Sequence, residues 1–507
     1  MKKPDDLFLL IHSLDRSEKG YFKKFSSIYG KKEERTYFRL FEFIGKQKEY
    51  NDEKMQHHFR KEKFIRQPAV AKHYLFNLLL KSLESYHSSV EAELESMLHR
   101  MEILFEKGLY DLCERILIRA KKLAKKYERH TFSLELMKWE IELTRARSYV
   151  GKTETGIKDL FKNIFSTLET YKNINEYSFL VSQLFVKEVK GGFARAKKEL
   201  NVYEPIMQDP LLKNEKRAES YQAKYYFYLS HIGYHSIRNE FGNALSYSKK
   251  LVALLEAHPH QFLEKPRTYV SVLRNHISCL GKLKRYTEIP AFIKKMRTIQ
   301  TRSEAIRNTI FYSANILDLE TYVNTGQFEK GVKLVTEFEE QRTRLNKKAL
   351  NKLNETILNY NVSCTYFGAK NYSAANKYLN RILNDTHIDL RSDIQCFSRI
   401  LSLLIHYEMG NADLLSYLIR STYRYLYKRK HLYKFETIVL QFIRNKIPKL
   451  DSKKELMHAF EELKKEIVKI SKDPFERTAL EYFDFISWLE SKISGRSFAE
   501  IVREKAG

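Results

Sequence analysis

In the stretch NTIFYSANILDLETYVNTGQFEKGVKLVTEFEEQ, residues 308–341, apolar positions recur every three or four residues in two runs, broken by Asn324-Thr325-Gly326-Gln327. That pattern predicts two amphipathic helices joined by a tight turn. The turn returns along the chain. Taking Phe328 as the mark, the equivalent residues are Tyr110, Thr153, Phe193, Phe241, Tyr286, Tyr372 and Asp413, at spacings of 43, 40, 48, 45, 42, 44 and 41 residues. Eight helical hairpins are expected. Two residues before the marks stand Gly108, Gly151, Gly191, Asn239, Lys284, Gly326, Lys370 and Asn411, mostly types that accept the left-handed conformation ending a helix. Three residues after them stand Cys113, Gly156, Ala196, Ala244, Ile289, Gly331, Ala375 and Ser416, nearly all small, as a close crossing of the second helix against the first requires.

A glycine, then an aromatic, then a small residue three further on resembles the turn of the tetratricopeptide superfamily. The likeness is strongest at Gly326-Gln327-Phe328-Glu329-Lys330-Gly331, at Gly108-Leu109-Tyr110 with Cys113, and at Asn371-Tyr372 with Ala375. It covers residues 90–430. The period of about 43 residues exceeds the family's 34, and the family's tryptophan and final proline are missing. The resemblance implies an all-α fold, a right-handed α-solenoid of antiparallel helix pairs, whose first helices line a concave groove. In such a groove Asn315 and Asn359, each thirteen residues before its mark, are candidates to hold the backbone of an extended peptide; the alternative is an asparagine satisfied by its own surroundings.

Residues 1–89 fall outside the repeat phase and predict a helical bundle or cap, with helices near 5–14, 17–29, 34–48, 51–60 and 68–87. Ser17 and Asn51 are the expected N-caps and Pro68 the first-turn proline. The stretch 51–83 also fits a DNA-binding helix-turn-helix in outline, with His73, Asn77, Lys81 and Glu84 on one face of its last helix. The linker from Arg60 to Gln67 is too long for its tight turn, and Tyr74, Leu75, Leu78, Leu79, Leu80 and Leu83 make most of the helix apolar. Residues 431–507 predict further helices near 432–446, 452–470 and 474–492, a cap over the array's last apolar face.

Composition narrows the class. The 17 Gly and 9 Pro are too few to punctuate a sheet-rich chain of 507 residues. Cys113, Cys279, Cys364 and Cys396 form no ligand spacing and read as reduced residues of a cytoplasmic protein. No uncharged run is long enough to span a bilayer. The net charge of +27 favours an acidic partner, and its distribution, +7 over residues 1–90, +18 over 91–430 and +2 over 431–507, is spread through the middle.

The stretch Ala146 to Thr153, ARSYVGKT, fits a loose phosphate-loop pattern. The chemistry needs a strand before the loop and a glycine where Ala146 stands, and the preceding residues have the period of a helix. Gly151 therefore reads as a helix-ending glycine, Thr153 as a turn mark and Gly156 as a crossing residue. The 16 histidines form no zinc-binding pattern. No catalytic residue, cofactor or metal is expected.

The sharpest charge feature runs from Leu414 to Phe435, where no acidic residue accompanies Arg420, Arg424, Lys428, Arg429, Lys430 and Lys434. At 100° per residue Leu415, Ile419, Thr422 and Leu426 face the core, and Tyr417, Arg420, Arg424, Lys428 and His431 line the opposite side. Such a stripe suits a nucleic-acid backbone or an acidic protein segment, or is simply solvated surface. The expected function is a non-enzymatic scaffold for a protein or peptide partner. The alternatives are a transcriptional or nucleic-acid-associated regulator with an N-terminal DNA-binding unit, and an ATP-using enzyme.

Overall fold

The computed structural model describes residues 5–28, 34–191, 200–301, 303–344, 352–385, 392–428, 432–446 and 453–507, and every regular element among them is helical. No described helix is long and apolar enough to cross a membrane. The chain divides into two compact units, residues 1–152 and 153–507.

The first unit begins with helices α1 (Asp6–Ser13), α2 (Arg16–Ile28), α3 (Glu34–Lys46), α4 (Asp52–His58) and α5 (Pro68–Tyr86). Leu7, Phe8, Ile11, Phe22, Leu40, Ile44, Leu75 and Leu79 meet in its core. Asn51 caps α4 and Pro68 opens α5. Helix α2 is capped by Asp15 instead of Ser17: the Asp15 carboxylate accepts from Glu18 N at 2.8 Å while Glu18 accepts from Asp15 N at 2.7 Å. A polar clamp ties the ends together, with Lys72 Nζ donating to Asp5 at 2.8 Å, Tyr50 at 2.9 Å and Asp52 at 3.2 Å. Burial pushes the Tyr50 phenol up to about 12, so it stays protonated and donates to Asp52. The hairpin α6 (Val90–Glu106) and α7 (Tyr110–Lys126) follows, then α8 (His130–Ala146).

The second unit opens with α9 (Glu154–Gly191), a single helix of 38 residues. No turn separates the second helix of one expected hairpin from the first helix of the next, so the regular count of eight does not hold here. The turn mark at Phe193 and its small partner Ala196 lie outside the described residues. After short helices α10 (Glu204–Met207) and α11 (Pro210–Lys213) come the hairpin α12 (Tyr221–Ile237) and α13 (Phe241–Ala257), the short α14 (Pro259–Glu264), and the hairpin α15 (Pro266–Lys282) and α16 (Ile289–Arg297). Three more hairpins follow: α17 (Glu304–Asn324) with α18 (Phe328–Arg344), α19 (Lys352–Gly368) with α20 (Tyr372–Leu383), and α21 (Ser392–Glu408) with α22 (Ala412–Lys428). Helices α15, α17, α19 and α21 pack in sequence on one another.

The turns obey one local rule. Gly108, Asn239, Lys284, Gly326 and Lys370 all have φ between 58° and 69°. In each, the next residue's N–H reaches back five positions, as in Leu109 N to Leu104 O and Gln327 N to Tyr322 O, both at 2.9 Å. Two lysines thus hold a conformation that suits glycine. At the last hairpin the left-handed residue is Gly410, not Asn411. The small column has mixed uses: Cys113 Sγ approaches Met101 O of its own hairpin at 3.5 Å, whereas a Cβ on Gly331 would lie 2.6 Å from Thr365 of the next.

The C-terminal part contains α23 (Lys434–Gln441), continued by a π-helical turn to Lys446, then α24 (Lys453–Ile470), α25 (Pro474–Arg477), α26 (Phe485–Ser494) and α27 (Phe498–Ala506). It reaches much further back than a cap over the last hairpin. Thr478 Oγ1 accepts from Asn239 Nδ2 at 3.2 Å, Glu481 pairs with Lys282 at 2.8 Å, and Phe498 stacks on Phe328 with centroids 5.5 Å apart. Residues 478–503 therefore touch the turn ends of several hairpins.

Candidate functional site

Helix α22 is two-faced. Leu415, Ile419, Thr422 and Leu426 are buried, while Arg420, Arg424 and Lys428 are exposed. Tyr417 and Tyr427 are 63% and 70% exposed, too open to be packing residues. Positions 417, 420, 424, 427 and 428 share a face because they are three or four residues apart. Among the described residues, none of the three cations meets a carboxylate; Arg420 Nε instead donates to Ser416 O of its own helix at 3.2 Å. Tyr423 and Tyr427 stack at 6.2 Å with planes 9° apart, making a flat aromatic edge beside the cations. Lys428 lies at the negative end of the helix dipole, which favours its charge there. Tyr425 leaves this face: its ring lies 3.9 Å beneath the Arg399 guanidinium. His431, with Arg429 and Lys430, lies outside the described residues.

The groove asparagines sit differently. Asn315 and Asn359 are both buried, and Asn315 Nδ2 donates to Phe311 O, one turn back in α17, at 2.7 Å. Neither offers an open amide. Two of the first helices, α19 and α21, carry the chain's own C-terminal segment. Tyr482 stacks on Phe397 of α21 at 4.1 Å and accepts at its carbonyl from Tyr360 of α19 at 3.1 Å. Glu408 at the end of α21 receives Trp488 Nε1 at 2.7 Å and Lys492 Nζ at 2.6 Å. The sequence places this segment in a cap over the last hairpin, not against the first helices; the signal for its docking is the aromatic density of Phe475, Tyr482, Phe483, Phe485 and Trp488 in a nearly neutral stretch.

The phosphate-loop stretch connects α8 to α9, so a helix precedes it. The helix is ended by Ser148, at φ 50°, with Tyr149 N bonded to Thr144 O at 3.0 Å. Gly151, at φ 75°, belongs to a second turn and not to the helix end. Thr153 Oγ1 accepts from Gly156 N at 3.1 Å, capping α9, and Gly156 is exposed instead of lying at a crossing. On α5, His73, Asn77, Lys81 and Glu84 are exposed, with His73 and Asn77 hydrogen-bonded to each other at 3.0 Å.

Comparisons with protein families, with curated proteins and with solved structures return no match.

Proposed function

We propose that the chain is a TPR-like, right-handed α-solenoid working in the cytoplasm as a non-enzymatic scaffold, and that it takes an acidic protein segment on the outer face of α22. The observation that carries this reading is the row of Arg420, Arg424 and Lys428, exposed and without a carboxylate partner among the described residues, beside Tyr417, Tyr423 and Tyr427. Unpaired guanidinium and ammonium groups steer incoming carboxylates and form charge-assisted hydrogen bonds with them. Exposed tyrosines add apolar contact area with few side-chain torsions to freeze. The buried Asn315 and Asn359 do not favour peptide capture among the first helices.

The partner class is tested by competition on the whole protein. A labelled peptide rich in Asp and Glu should bind, and an unlabelled single-stranded oligonucleotide of equal charge should displace it poorly. Tighter binding of the oligonucleotide would transfer the site to the nucleic-acid reading, with the tyrosines stacking on bases.

A further inference from the structure

Helix α9 carries a second open face, of different chemistry. Phe161, Phe165, Leu168, Phe179 and Val186 are 40%, 62%, 45%, 62% and 61% exposed. With Lys172, Asn175 and Ser182, also exposed, they occupy positions 161, 165, 168, 172, 175, 179, 182 and 186, at alternating steps of four and three. That is the seam of a two-stranded helix pair. The opposite side is committed to the fold, since Ile174, Tyr177, Val181 and Leu184 are buried, so the seam is held outward over its C-terminal half.

We infer that this seam is an interface between two copies of the chain, their α9 helices paired antiparallel. Three observations select that occupant. The spacing of the row is the same in both directions about the point between residues 173 and 174: Phe161 would face Val186, Phe165 would face Ser182, Leu168 would face Phe179, and Lys172 would face Asn175. Apolar residues then meet in the Phe161–Val186 and Leu168–Phe179 layers, Phe165 covers the small Ser182, and the polar pair Lys172–Asn175 lies at the centre, where it fixes register. A parallel pairing would set Lys172 against its own copy. Charge agrees: residues 154–186 carry Lys158, Lys162 and Lys172 against Glu154, Asp159, Glu169 and Glu176, a net −1 in a chain of +27. Here two strongly basic copies approach with little repulsion. The strip from Phe161 to Val186 is also about 37 Å long and about 10 Å wide, with apolar residues at five of its eight positions. An interface of that area belongs with concentration-dependent pairs, below obligate dimers in size.

Sedimentation of the full chain should show a monomer–dimer equilibrium. The double substitution F165E/L168E, on exposed positions, should leave a folded monomer with unchanged helical circular dichroism. Under mild oxidation, F165C mixed with S182C should yield a cross-linked heterodimer that F165C alone does not form; the four native cysteines are buried and stay out of the reaction. A monomer at every soluble concentration, or a dimer indifferent to F165E/L168E, overturns the interface. Self-linking of F165C without the 165–182 link overturns the antiparallel register.

Discussion

Arg503 donates its guanidinium Nε to the carbonyl oxygen of Gly326 at 2.9 Å, across 177 positions of the chain, and pairs its Nη2 with Glu329 at 2.8 Å. The last helix is thereby seated on a hairpin turn in the middle of the protein. Gly326 is needed there twice. Its φ is 65°, and a Cβ would lie 2.7 Å from Ala499 O and 2.8 Å from Arg503 N.

Gly326→Ala is therefore expected to destabilise by more than the roughly 1 kcal/mol of left-handed strain. Gly108→Ala, at φ 69° with nothing within 4 Å of its Cβ, should lose only that strain. Urea unfolding of the two variants distinguishes them; equal losses would mean that the contact with α27 carries no weight.

Lys284 and Lys370 occupy the same left-handed position at φ 58° and 60°. Replacing either with glycine should stabilise by about 0.5–1 kcal/mol, because removal of the Cβ strain outweighs the added freedom of the unfolded chain. A fall in melting temperature in both variants would contradict the assignment of strain to these turns.

The Phe328 ring lies so close to Gly368 that a Cβ there would meet its Cδ1 at 2.2 Å. Gly368→Ala should cost at least about 2 kcal/mol by overpacking. Adding Phe328→Leu should recover part of that loss, and a strictly additive double variant would argue that the two sites are uncoupled.

Two buried imidazoles weaken the fold in acid. Burial pushes His231 down to about 4 and, with Lys249 nearby, His276 likewise to about 4. His231 Nε2 donates to Leu212 O at 2.9 Å and His276 is hydrogen-bonded to Ser248 at 3.0 Å. Both are neutral in the folded protein, whereas the unfolded chain takes up these protons near pH 6.5. Above that value neither state is protonated. As pH falls from about 6.5 toward 4, the unfolded state gains protons that the native state refuses, and stability drops by up to about 3 kcal/mol per imidazole. Urea midpoints at pH 7 and pH 5 should converge in H231Q/H276Q relative to the unsubstituted protein; an unchanged pH dependence would place the acid sensitivity elsewhere.

The hairpins were legible because a turn is closed by chemistry within six residues, and Gly108, Asn239 and Gly326 announce it. Lys284 and Lys370 fit only because the spacing of their neighbours demanded it. The same local logic misplaced Gly151, since Ser148 had already ended the helix, and it divided α9, whose residues hold no signal for a stop. The two sides of α22 followed from angle alone. The return of residues 478–506 depends on partners 80 to 239 residues away, as in Glu408 with Trp488 and Asn239 with Thr478, and periodicity contains no information about such contacts.

The central claim is that the outer face of α22 receives an acidic segment. Its most direct measurement is the affinity of an Asp/Glu-rich peptide for the full protein and for R420Q/R424Q/K428Q, at low and at physiological salt. The account predicts an unfolding free energy within about 0.5 kcal/mol of the unsubstituted protein, at least about tenfold weaker binding, and a shallower salt dependence. Equal affinity and equal salt dependence in the folded triple variant would contradict it.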